Sequence, residues 1–318
     1  MEKGVKRWLV DTSKWNPTPH DFSSALSVLP QHERSSITRF LRMEDRKQAL
    51  VSRLLQYALI HEVLGIPYNE IVIKRTFEGK PYLECSKVGV EFPNFNFNVS
   101  HHGDYVAIAS EPLCLVGVDV VCCIKPMKES VPEFIENFSS YFSSLEWDNI
   151  ISTGTSDEIL VDFYRYWCLK EAFVKAVGSG LAYGVDKVEF HHTNWTNISV
   201  KVDGEPLTEW RFWLFKLPER HWVAQLQASR YQQAMKGRMY MLTVAVARGH
   251  PRFATENYKR AISKAEFDVE EYNKGLNLPN VAFVTRVIEQ LIPVSHGEER
   301  LTEQDICSDC LHLSSREA

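Results

Sequence analysis

Apolar residues recur at Leu50, Val51, Leu54, Leu55, Ala58, Leu59 and Val63, the 3.6-residue period of a helix with one packed face. The pattern fills residues 44 to 64 and stops at Gly65, with Pro67 beyond. After it the period changes. Ile71-Val72-Ile73-Lys74-Arg75 reads as a strand, Phe77 to Pro81 as a turn and Tyr82-Leu83-Glu84-Cys85 as the returning strand. Asn96 to Ser100, Tyr105 to Ala109 and Leu115 to Val121 follow at short intervals, which predicts an antiparallel meander.

The second half repeats this order. Asp157 and Glu158 open a helix with Leu160, Phe163, Trp167 and Val174 on one face, ending near Gly178-Ser179-Gly180. Strand-like Val185 to Phe190, Ile198 to Val202, Trp210 to Phe215 and Trp222 to Leu226 come next. A helix, a glycine and then strands in both halves predict an α+β protein of two similar, pseudosymmetric subdomains, with a site between them. The expected divisions are 1–112, 113–246 with the metal site, and an extension, 247–318. Beyond Gly249 the charges scatter and the period weakens; one amphipathic helix is expected at Val281 to Leu291, and disorder in the last 25 residues.

Composition narrows the class. The 318 residues are 44% apolar and 24% charged, enough to bury a full core, and no apolar run reaches the length of a membrane span. A net charge of -5 gives no global basic field for nucleic acid. The N-terminus leads straight into strand-like Trp8-Leu9-Val10-Asp11 with no signal-peptide core, and the seven cysteines are odd in number and mostly set in apolar runs. Both point to a reducing compartment, the cytosol, and make the sequons at Asn98, Asn194 and Asn197 chance matches. Cys307 and Cys310 have zinc-ligand spacing without a second pair, which argues against a zinc site.

Two carboxylates stand out against this background. Asp119 is centred in the run Leu115-Val116-Gly117-Val118-Asp119-Val120-Val121, and Glu171 follows Phe163 and Trp167 on the second helix. A charge among apolar neighbours costs several kcal/mol or more unless hydrogen bonds or a counter-charge meet it. Glu171 alone is explained by a pair with Lys175 one turn on. Asp119 has no such ready explanation. Two inward acids on different elements suit a hard cation such as magnesium, which serves phosphoryl chemistry, with Lys175 as a phosphate contact. Arg34, Arg42, Lys74, Arg75, Lys80 and His101 are further candidate phosphate cations, and Gly79 permits close backbone approach; His191 and His192 read as structural.

Asn98-Val99-Ser100-His101, then Gly117-Val118-Asp119-Val120, then Trp167-Cys168-Leu169-Lys170-Glu171-Ala172-Phe173-Val174-Lys175 resemble the 4′-phosphopantetheinyl transferases. Pro93 to Asn98, His101 to Tyr105 and Arg75 to Pro81 resemble the larger monomeric kind, whose eukaryotic members act on fatty-acid synthase and aminoadipate-semialdehyde dehydrogenase. The resemblance spans roughly residues 5 to 230. It implies coenzyme A in a cleft between two subdomains, and attack by a serine of an apo acyl-carrier or peptidyl-carrier protein on the β-phosphate, with 3′,5′-ADP leaving. It implies that Asp119 and Glu171 bind Mg2+, that Lys175 contacts the phosphates and that Glu171, directly or through water, takes the serine proton. Arg34, with Arg42 as its competitor, the turn Arg75-Thr76-Phe77-Glu78-Gly79-Lys80 and the segment Asn98-Val99-Ser100-His101 would bind coenzyme A, as would Glu171 and Lys175. Bacterial members often carry a second acid two residues after the aspartate; here it is Val121, so two carboxylates and water would complete the metal site. The carriers served and the role of the tail lie beyond this resemblance.

Overall fold

The computed structural model describes residues 1–84, 92–152, 154–217, 242–262 and 268–293. Strand β1 (Lys6–Asp11) leads to helices α1 (Pro19–Ser27), α2 (Gln31–Thr38) and α3 (Met43–Leu64). A hairpin of β2 (Ile73–Arg75) and β3 (Pro81–Leu83) follows, then β4 (Asn96–His102) and β5 (Tyr105–Glu111). The same order returns with β6 (Leu115–Cys122), α4 (Val131–Glu136), α5 (Ser144–Ser152) and α6 (Ser156–Val177). The hairpin β7 (Val188–Thr193) and β8 (Thr196–Val202), short β9 (Glu205–Pro206), β10 (Trp210–Leu217) and β11 (Leu242–Gly249) complete it.

The two main sheets run β12-β1-β5-β4, with β12 at Val284–Thr285, and β10-β11-β6. Setting β12 aside, each has a first strand, a long helix, a hairpin and two further strands in one order, so β1 corresponds to β6, β4 to β10 and β5 to β11. Both long helices have 22 residues and both end on a left-handed glycine, Gly65 (φ 69°) and Gly178 (φ 81°). Thr155 and Glu158 form a capping box at the start of α6, satisfying backbone N–H groups that no helical carbonyl reaches.

Side-chain alternation stacks these parts as helix, sheet, sheet, helix. Trp8, Val10, Val106 and Ile108 pack under α3, while Leu9, Ala107 and Ala109 meet Val116, Val118, Val120, Val244 and Val246 between the sheets. Leu115, Val121, Ala245 and Ala247 pack against α6. Both faces of β6 are therefore covered, which is why it reads as a continuous apolar run.

Several expectations change. β4 and β5 pair antiparallel as expected, but β6 leaves them and pairs with β11. It still runs alongside β4 in the same direction, joined through side chains: Asn96 and Asn98 Oδ1 accept from Val116 and Val118 N–H at 3.0 and 2.9 Å, and His102 Nδ1 accepts from Cys122 N–H at 3.2 Å. Residues 281–291 form no α-helix. Val284 and Thr285 pair parallel with Trp8 and Leu9, and Ile288 and Leu291 drop into the core under α3, so the apolar spacing serves a strand and one 3-10 turn instead. The expected division at 246 falls inside β11. The segment after it is bound to both halves: Arg248 donates to the carbonyls of Leu276 (3.3 Å), Leu278 (2.5 Å) and Pro279 (3.3 Å) and shares the buried Glu111 carboxylate with Arg7 of β1. Cys114, Cys122, Cys123 and Cys168 are free thiols. The strand expected at Trp222 to Leu226, the last 25 residues and Cys85, Cys307 and Cys310 lie outside the described residues. Among the described residues no helix is long and apolar enough to cross a membrane.

Candidate active site

Asp119 points from β6 toward α6 and is 5% exposed. Strand and helix come this close because of Gly117 two residues earlier, where a Cβ would lie 1.9 Å from Ala172 O and 2.5 Å from Ala176 N. Any side chain there would force the elements apart. The Asp119 carboxylate is met by two donors. Lys175 Nζ lies 2.5 Å and Ser100 Oγ 2.9 Å from Oδ1, and Lys175 also donates to Ser100 Oγ at 2.9 Å. Ser100 comes from β4, so the group joins both halves through the same seam that the asparagines stitch.

Glu171 stands one turn before Lys175 on α6 and is half-buried. Lys170 fixes the helix rotation: its buried Nζ pairs with Glu146 of α5 at 2.8 Å and donates to the carbonyls of Val185 and Val188, on the side opposite the site. Burial pushes the Glu171 carboxyl up, Lys175 opposes this and Asp119 adds to it. Burial likewise disfavours charge on Lys175, but the ion pair and hydrogen bond to Asp119, with Glu171 behind them, raise it. Two acids against one ammonium leave one negative charge in a partly buried place.

That surplus is the test for the expected metal. Asp119 and Glu171 offer hard carboxylate oxygens, and a divalent cation would favour the charged form of a Glu171 raised by burial and, less, by Asp119, so the donors fit magnesium. Among the described residues no three His, Cys, Asp or Glu side chains group as metal ligands. Val121 faces the apolar layer under α6, 4% exposed, so the position two residues after Asp119 supplies packing.

The other expected residues divide. His101 is exposed next to Ser100, whereas Asn98 is 4% exposed and bonded to Val118 N–H, and Val99 packs on the α3 core. In the turn after β2, Arg75 donates to Gly79 O at 2.8 Å, Thr76 N–H to Lys80 O, and Phe77 is 95% exposed; Glu78 accepts from Asn257 at 2.7 Å. Arg34 donates to Leu29 O and Ser27 O, both at 2.8 Å, closing the end of α1. Arg42 is exposed at the start of α3. Lys80 Nζ is buried on Val116 O at 2.9 Å and Lys175 O at 2.6 Å. His192 bonds Tyr166 at 3.0 Å and stacks on Trp195, and His191 pairs with Glu189. The close-approach role of Gly117, Ser100 as the Asp119 donor and the buried pairing of Lys170 escaped the sequence reading; a glycine inside an apolar strand was the one available signal.

Comparison with known proteins covers the chain in two successive pieces. A family model described as "4'-phosphopantetheinyl transferase, N-terminal" matches residues 13–113, and one described as "4'-phosphopantetheinyl transferase superfamily" matches residues 115–227. The seam falls in the link between β5 and β6. The L-aminoadipate-semialdehyde dehydrogenase-phosphopantetheinyl transferase of Rattus norvegicus is 35% identical over 226 residues, 69% of this chain and 73% of its own, and that of Homo sapiens gives the same figures. A phosphopantetheinyl transferase of Thraustochytrium sp. is 33% identical over 228 residues, 69% of this chain and 77% of its own. A solved structure titled "Chronobacterium ammoiniagenes apo-ACPS structure" covers 43% of this chain at 17% identity with a TM-score of 0.26, too low to add to the assignment.

Proposed function

The chain belongs to the 4′-phosphopantetheinyl transferase superfamily, as a transferase of the larger kind, and on that footing we propose that it loads apo carrier proteins from coenzyme A. A serine hydroxyl of an acyl-carrier or peptidyl-carrier domain attacks the β-phosphate, the new phosphorus–oxygen bond forms, and 3′,5′-ADP leaves. The observation that carries this reading is the Asp119, Ser100 and Lys175 group closed against half-buried Glu171. Lys175, held in place by Asp119 and Ser100, presents its ammonium to a phosphate oxygen. Glu171, its carboxyl raised by burial, takes the serine proton, directly or through water.

Asp119 and Glu171 would hold Mg2+, which when bound neutralises charge on the pyrophosphate. Exposed His101, next to Ser100, and exposed Arg75 suit the coenzyme A phosphates, with Arg34 or Arg42 as a further candidate. The names of the rat and human relatives favour a carrier domain of aminoadipate-semialdehyde dehydrogenase type, which fits lysine metabolism; the resemblance of the motifs adds fatty-acid synthase carriers to the proposal. We place the protein in the cytosol as a monomer.

Labelled coenzyme A, magnesium and a panel of purified apo carriers test this. Each modified carrier should gain the mass of one phosphopantetheine arm. Calorimetric binding of coenzyme A without transfer to any carrier would sink the reading in favour of a noncatalytic binder.

A further inference from the structure

Lys80 is the residue at which the N-terminal half reaches into the C-terminal one. It precedes β3, is 5% exposed, and enters after Gly79 turns the chain at φ 91°. Its Nζ donates to Val116 O at 2.9 Å and to Lys175 O at 2.6 Å, and lies 4.8 Å from the centre of the Tyr258 ring. Its stem passes beneath Gly178, where a Cβ would come within 3.2 Å of Lys80 Cδ. No carboxylate is bonded to it among the described residues. Burial, with the charge of Lys175 adding, therefore pushes the ammonium down to about 7.

An apolar side chain would fill this space without desolvating an amine. What the amine supplies is direction. Val116 lies three residues before Asp119 on β6, and Lys175 is in the last turn of α6, where carbonyls lack helical partners. Val174 O accepts from Gly178 and Ser179 N–H, Val177 O accepts from Thr255 N–H, and Lys175 O is left to Lys80. The two acceptors flank the Gly117 contact, where strand and helix are nearest. Asp119 and Lys175 sit on those two elements, so the distance between them depends on how firmly the elements are joined.

We propose that Lys80 is a positioning residue for the transfer reaction, clamping β6 to the end of α6 and so setting Asp119 against Lys175, instead of contacting the coenzyme A phosphates. This rests on the transferase reading above. A side chain that binds phosphate should change affinity for coenzyme A; one that aligns the reacting groups should change turnover.

The experiment compares the full-length wild type, Lys80→Met and Lys80→Arg in transfer kinetics and in calorimetric titration with coenzyme A. Lys80→Met keeps the stem and removes the donors. We expect its kcat to fall at least tenfold with the Kd for coenzyme A within threefold of wild type, and Lys80→Arg to recover part of the kcat. A Kd raised tenfold at unchanged kcat would overturn the proposal while leaving the transferase reading intact. Absence of transfer by the wild type would overturn both. Should the variants not fold, amine labelling of the native wild type with and without coenzyme A decides: a buried clamp stays unlabelled in both, whereas labelling of Lys80 that coenzyme A blocks would overturn the proposal.

Discussion

The two 22-residue helices lie in matching layers and differ in what their strands present to them. Under α3, β1 offers Trp8 and Val10, 2% and 1% exposed; under α6, β6 offers Gly117 and Asp119. Counted back from the terminating glycines, Ala58 stands where α6 has Glu171, and Glu62 where it has Lys175. Ala58 is 7% exposed in an apolar core, and Glu62 pairs at the surface with Lys6 and Arg286. One layer is closed with apolar volume. The other gives up that volume at a glycine and sets charge beside the gap, so the same frame makes a core in one half and a site in the other.

The widest break in that comparison comes from giving β6 a side chain where it presses on α6. Gly117→Ala should destabilise the protein by about 3 kcal/mol or more, because the clash is with helix backbone that cannot rotate away. Urea denaturation of the variant should show it, together with loss of transfer. A variant as stable and active as wild type would mean that the strand and helix need not be this close.

Removing the charge itself separates site from core. Asp119→Ala and Glu171→Ala should each lower transfer at least about 100-fold, roughly 2.7 kcal/mol in barrier, while circular dichroism shows a retained fold. Val10→Ala in the opposite layer should do the reverse, losing roughly 2 kcal/mol of stability with turnover per folded molecule unchanged. If Val10→Ala impaired turnover as strongly as Asp119→Ala, the division into core and site would fail.

How much of this was legible follows the same line. The helices α3 and α6 and the apolar run of β6 are readable because burial imposes a local period on them, and each helix carries its own stop at Gly65 or Gly178. Asp119 and Glu171 were readable as misfits within those periods. The polar alternation Asn96, Asn98, Ser100, His102 also marks a strand face, but not that the face replaces backbone pairing to a strand twenty residues on. That is a long-range choice with no local period. Buried Lys80 and Lys170 were hidden for the same reason, since a lysine looks alike in sequence whether its amine meets solvent, a phosphate or a carbonyl. Residues 281–291 were misread because about three turns of weak periodicity suit a helix as well as a strand docked on β1.

The buried amine that ties the halves together gives a smaller, pH-dependent effect. Lys80 falls from the ordinary lysine range to about 7 in the folded protein, so between pH 7 and about 10 the unfolded chain holds a proton that the folded one has released. Stability therefore rises with pH across that window, by at most about 1.4 kcal/mol per unit from this group. Below pH 7 both states are protonated and the contribution is flat. Lys170 is also lowered and adds with the same sign, so the measurement is the difference between wild type and Lys80→Met in urea melts at pH 7 and 9. Wild type should gain more than the variant. Equal gains would place the titrating amine elsewhere.

The smallest effect is expected at the helix position that the two halves fill most differently. Glu62 is 40% exposed on its side chain, and its partners Lys6 and Arg286 are 29% and 25% exposed. Solvent screens such pairs, so Glu62→Ala should change stability by less than about 1 kcal/mol, even though Arg286 also belongs to the segment carrying β12. The backbone of that segment holds without it, through Arg286 N–H on Leu9 O at 2.8 Å and the Tyr68 hydroxyl on Leu291 O at 2.8 Å. Transfer should be unchanged. Lys175→Met, at the corresponding place on α6, should lose transfer at least tenfold because Asp119 is left facing Glu171 with no cation between them. A threefold loss of turnover in Glu62→Ala, at unchanged melting temperature, would show that the N-terminal layer is coupled to the chemistry through its own helix and not only through Ser100 and Lys80.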